Sequence, residues 1–105
     1  MNINKNLLSA LLEVGMKATD ATSYKEVEEW LLKTHKIVLR PEMIGSKLIK
    51  FECDPWLIQK YENKVVSHKL CKYTGLHKFV IDAYEAGILG AIEYLQRESL
   101  NLIIK

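Results

Sequence analysis

The stretch from Asp82 to Glu98 constrains the fold more than any other part of the chain, because it carries a complete amphipathic helix signature. Tyr84, Ile88, Ala91, Ile92 and Leu95 recur at steps of three and four and so share one helical face, while Glu85, Glu93, Gln96 and Arg97 fall off it. Asp82 followed three residues later by Glu85 is a capping-box pattern, with Ile81 as the apolar residue before the cap. Both acids would stand at the positive end of the helix dipole. An apolar stripe of this length needs a second layer to cover it. Gly87 and Gly90 interrupt the helix at a cost of about 1 kcal/mol each relative to Ala. That cost predicts a close neighbour there, a crossing strand being the expected one and a ligand the alternative.

Two further helices are predicted upstream. Residues 3–14 place Leu7, Leu8, Leu11, Leu12 and Val14 on one face, with Asn4 or Asn6 as cap and Gly15 as a stop signal. Ser23 and Glu26 form a second capping box that opens a helix over 23–35, whose apolar positions are Tyr24, Val27, Trp30 and Leu31. After Thr34 the period changes. Lys36 to Arg40 reads as a short β-branched strand closed by Pro41, Gly45-Ser46 as a turn, and Lys47 to Cys53 as an alternating strand. Asp54-Pro55 leaves two readings open for 54–61, a short helix capped by Asp54 or a continued extended segment. Glu62-Asn63-Lys64 marks a turn, and Val65 to Tyr73 is the third strand.

This order predicts an α+β domain: helix, helix, a three-stranded antiparallel meander over 36–73 and the helix over 82–98, with the helices packed on one face of the sheet. The whole of 1–105 forms one domain, large enough to fold without metal or disulfide. Residues 99–105 are an apolar tail. Leu95, Ser99 and Leu102 keep helical spacing, whereas Leu100, Leu102 and Ile104 alternate as a strand would. An end this apolar is expected to be covered, either by its own chain or by self-association into a homodimer through Leu100, Leu102, Ile103 and Ile104.

No apolar run approaches the ~20 residues of a membrane span. The leucines near the start are spaced as a helix face and followed at once by Glu13, unlike a signal peptide. The expected location is therefore the cytoplasm, with Cys53 and Cys71 as reduced thiols on strands.

Charge is unevenly placed. The net value is +2, but residues 33–78 carry +6 and the two flanks −4. In the basic centre Lys60, Lys64, His68, Lys69, Lys72, His77 and Lys78 interleave with Tyr61 and Tyr73, a pattern that could hold phosphates on cations and stack bases on rings. Nucleic-acid binding and the sequestration of a small anionic nucleotide are thus the alternatives to protein binding. A solvated sheet face whose lysines discourage edge pairing explains the same residues. The element order is similar to that of the double-stranded RNA-binding domain, but that family carries lysines at the start of its last helix, where this chain has Asp82 and Glu85.

Catalytic signatures are absent: there is no P-loop, G-x-S-x-G or H-E-x-x-H. Cys71 with His68 or His77 would be a nucleophile and base only by chance proximity. Cys53, His68, Cys71 and His77 lack the paired short spacings of a zinc site. No metal, cofactor or enzymatic activity is expected.

Two stretches carry a resemblance. Tyr24-x-x-Val27-x-x-Trp30-Leu31 followed by His35-Lys36-Ile37, and Phe79-x-x-Asp82-Ala83-Tyr84-Glu85-Ala86-Gly87-Ile88-x-x-Ala91-Ile92-x-x-Leu95, resemble small uncharacterised α+β proteins of phages and mobile elements of Bacteroides-type bacteria. The match covers less than half of the chain and consists of caps and packing positions. It implies a compact α+β domain in a phage or mobile-element setting and brings no catalytic residues. From that setting and the lack of catalytic motifs, the expectation is an accessory protein that modulates a host by stoichiometric protein binding in the host cytoplasm.

Overall fold

The computed structural model describes residues 3–21, 23–45, 47–70 and 75–104, the side chains of Tyr61 and of 100–104 excepted. The elements are α1 (Lys5–Glu13), α2 (Tyr24–His35), β1 (Ile37–Ile44), β2 (Lys50–Tyr61), β3 (Lys64–Lys69) and α3 (Val80–Ile104). The strands form one antiparallel meander in the order β1-β2-β3. Against it α3 packs on β2 and β1, α2 on β1, and α1 on α3. The expected α+β class is the observed one.

Local chemistry sets the helix starts. The Asn4 side chain accepts from the Asn6 N–H at 2.8 Å, and Ser23 Oγ accepts from the Glu26 N–H at 3.2 Å. Helix α2 closes on Lys36, a left-handed residue at φ 58°, whose N–H reaches the carbonyls of Leu31 and Leu32 and leads directly into β1. Helix α3 departs from the capping-box expectation. It begins two residues early at Val80, so Asp82 lies inside its first turn, and the Glu85 carboxylate accepts the Tyr24 hydroxyl instead of returning to a cap. That bond ties α2 to α3.

Prolines account for the differences in the sheet. Pro41 does not close β1, which runs on to Ile44. Because Ile58 N–H donates to the Lys36 carbonyl at 2.8 Å, hydrogen-bonded pairs alternate from that point, and Pro41, opposite Cys53, falls on a non-bonded pair of an edge strand. Its missing N–H would have pointed away from β2. Residues 54–61 take the extended alternative and complete β2. Strand β3 stops at Lys69 rather than Tyr73. Leu70 N–H donates to the Pro55 carbonyl at 3.0 Å, but Pro55 has no N–H to return, so the ladder ends there. Residues 71–74, which include 71–73 of the expected third strand, lie outside the described residues. The chain regains the same edge at His77, which exchanges backbone bonds of 2.7 and 2.8 Å with Phe51.

Helix α3 supplies Ala83, Ile88, Ala91 and Ile92 to the core, where they meet Val27, Leu31, Ile37, Leu39 and Cys53, with Leu7 and Leu11 closing the layer from α1. A Cβ on Gly87 would stand 2.8 Å from the Cys53 carbonyl oxygen. At Gly87 the crossing strand is therefore β2. Helix α3 also continues unbroken through the expected tail to Ile104. No helix among the described residues is long and apolar enough to cross a membrane.

Candidate functional site

Cys53 faces α3, so strand alternation turns Glu52, Asp54 and Trp56 of β2 to the open face of the sheet, with Arg40 and Glu42 of β1 and Ser67 and Lys69 of β3 beside them. The Arg40 guanidinium lies 4.6 Å from the Trp56 ring centroid, and its Nη2 donates to Ser67 Oγ at 3.4 Å. Lys69 Nζ stands 3.0 Å from Asp54 Oδ2 and 3.8 Å from Glu52 Oε1. Asp54 is buried, at 7% exposure. Its hydrogen bond to Glu52 raises the Glu52 carboxyl above its ordinary range, helped by burial and by the Asp54 and Glu42 charges, and Lys69 pulls the other way. Glu42, Glu52 and Asp54 thus oppose Arg40, Lys50, Lys60 and Lys69 on one nearly neutral surface.

The residues of the basic centre are not gathered into one site. Lys60 and Lys64 flank the two-residue turn Glu62-Asn63 around a shallow concavity of about 580 Å³, Lys60 on the open face and Lys64 on the other. Lys69 is engaged by two carboxylates. His68 is exposed on β3, opposite Leu57. His77 sits at the far end of β2, about 30 Å from Lys60 at ~3.3 Å per residue. Lys78 lies over the Phe79 ring at 5.7 Å. Lys72 and Tyr73 fall outside the described residues, as does Cys71.

For nucleophilic chemistry the described thiol is unsuitable. Cys53 is buried, and burial with the nearby Asp54 and Glu28 charges pushes it up to about 12. Among the described residues no group of three or more His, Cys, Asp or Glu could hold a metal ion.

Two apolar features stand at opposite ends of α3. Near its start, Met43 is 67%, Leu48 78% and Phe79 59% exposed, and Ile49, Leu76 and Val80 are exposed as well. Met43 pairs with Phe51, which is bridged to His77, and Phe79 follows two residues later, so the tip of the β1–β2 hairpin and the entry to α3 make one apolar end. Sequence reading passed over it by closing a strand at Pro41, placing a turn at Gly45-Ser46 and starting the next strand at Lys47, whereas β2 begins only at Lys50. The available signal was the apolar pairs Met43-Ile44 and Leu48-Ile49 on either side of Gly45, where turn residues are normally polar.

Toward the other end, Glu13, Val14, Gly15, His35, Leu95, Glu98 and Ser99 line a groove of about 410 Å³. His35 Nε2 is buried without a hydrogen-bond partner, its ring set edge-on to Trp30 at 4.8 Å between centroids, and burial lowers its pKa. The residues expected to self-associate, Leu100, Leu102, Ile103 and Ile104, continue α3 past this groove, their side chains outside the described residues. No family model matches the chain, and neither does any curated protein or solved structure.

Proposed function

We propose that the protein is a non-enzymatic binding domain that acts by stoichiometric occupancy of a host protein, in the phage or mobile-element setting that the resemblance implies. The observation that carries this reading is the apolar end formed by Met43, Leu48, Ile49 and Phe79, which stays largely exposed in the folded chain. Several large apolar side chains left exposed at one end of a folded domain suit an interaction site. The buried, protonated Cys53 thiol supports binding over nucleophilic chemistry. The balance of carboxylates and cations on the open sheet face favours a protein over a polyanion.

A photocrosslinking residue in place of Leu48 tests the proposal in lysate of the host. A defined crosslinked protein is expected, and it should disappear when Phe79→Asp is added. The absence of any defined crosslink, or one indifferent to Phe79→Asp, overturns the reading.

A further inference from the structure

We infer, on the footing that the apolar end docks a protein, that the docked segment is acidic: an amphipathic stretch with aliphatic residues at its centre and carboxylates at its margins. Met43, Phe51 and His77 stand abreast on three adjacent stretches of backbone, about 10 Å across at ~4.8 Å per spacing. Met43 shares the α3 side of the sheet with Phe51, and the hairpin folds tightly beyond it, where a Cβ on Gly45 would meet the Leu48 carbonyl oxygen. The end is thus assembled from two separate segments, 43–49 and 76–80, which the Phe51–His77 bridge fastens together.

Cations frame it on both sides. Lys50 lies opposite Ile44 on the open side of the sheet, Lys47 precedes Leu48 in the turn, and Lys78 Nζ stands 5.7 Å over the Phe79 ring. All three are exposed, and none pairs with a carboxylate of a described residue, unlike Lys69. Within 42–50 and 76–80 the charged residues are these three lysines and one acid, Glu42. Complementary potential therefore selects a partner whose carboxylates outnumber its cations around an apolar centre. A second copy docked by two-fold symmetry would set these lysines against themselves. An anionic bilayer fits less well than a protein segment, since it would repel Glu42, and the described residues of this end include no Trp or Tyr to sit at headgroup level.

Fluorescence anisotropy with two labelled peptides tests this, one carrying leucines on one helical face and glutamates at its margins, the other the same leucines with lysines. The full chain should bind the glutamate peptide about tenfold more tightly, each rim pair contributing a few-fold. The triple variant Lys47→Glu, Lys50→Glu, Lys78→Glu should invert that order with an unchanged melting temperature. Should it melt lower, the triple variant to Gln decides in its place by abolishing the preference. Equal binding of the two peptides, no binding of either, or a preference that survives the deciding variant overturns the inference, as does capture on phosphatidylserine vesicles without a peptide preference. A Leu48 crosslink that Phe79→Asp removes and the deciding variant leaves intact overturns it too, while the docking role of the apolar end stands.

Discussion

Replacing Gly87 with Ala tests the contact on which the architecture rests. The new Cβ would stand 2.8 Å from the Cys53 carbonyl oxygen, 3.1 Å from Sγ and 3.3 Å from the carbonyl carbon. A relaxed carbon to oxygen contact is about 3.3–3.6 Å, so α3 must lift from β2 by roughly 0.5–0.8 Å. Two terms oppose each other. Ala in place of Gly inside a helix stabilises by about 1 kcal/mol, while overpacking a core costs about 1–3 kcal/mol. The lift adds to the cost, because a radial gap of about 0.5–1 Å forfeits a quarter to a half of each dispersion contact that Ala83, Ile88 and Ala91 make with the sheet. The net expectation is a loss of about 1–2 kcal/mol, or about 4–8 °C in Tm per kcal/mol for a domain near this size. Urea unfolding followed by tryptophan fluorescence should show a lower midpoint with an unchanged slope. Adding Cys53→Ala should recover little, since the nearest atom is backbone. A Gly87→Ala variant as stable as wild type, or more so, would refute the reasoning.

Two other perturbations probe buried charge. Lys69→Met leaves Glu52 and Asp54 without their cation; breaking a fully buried pair costs about 3–5 kcal/mol, and with the Lys69 side chain 34% exposed the expectation falls to about 1–2 kcal/mol. Glu52 is raised in the fold and binds its proton more tightly there than in the unfolded chain, so this loss should grow as pH rises from the ordinary 4.5 and shrink at more acid pH, as paired urea titrations at both ends of that range would show. For His35 the sign reverses, because burial lowers its pKa and the unfolded chain takes the proton more readily. Its contribution should be complete above the ordinary 6.5 and fade as pH falls below it, and His35→Phe should flatten that part of the stability profile. An identical acid slope in the variant would remove His35 as the cause.

What sequence reading reached and missed follows the range of the forces involved. The caps at Asn4 and Ser23 were legible because donor and acceptor lie within three residues of each other. Gly87 was legible because its helix penalty demanded a reason. The early start of α3 was not, since Glu85 resembles a capping partner locally and is claimed by Tyr24 from 61 positions away. Pro41 misled and Pro55 left two readings open for one cause: whether a missing N–H matters depends on which side of the strand it faces, a property of register. Pro41 is harmless at its non-bonded pair, whereas Pro55, which had suggested a helix, ends the ladder at Leu70. Register also decides the charges. Lys69 counts as a free cation in sequence, and two carboxylates across the strand engage it in the fold.

Element lengths bear on why large apolar side chains are exposed at the β1–β2 hairpin end of the domain. Helices α1 and α2, of 9 and 12 residues, extend about 13 and 18 Å, while α3, of 25 residues, extends about 37 Å. Strand β2, of 12 residues, reaches about 40 Å. Helix α3 packs on β2 and β1, α2 on β1 and α1 on α3. The β1–β2 hairpin extends beyond the helices at Met43–Ile49, where every described residue is exposed. On the open sheet face Lys69 is paired with Glu52 and Asp54, while Arg40 is held by Ser67 and the Trp56 ring, so charge there is largely engaged within the chain.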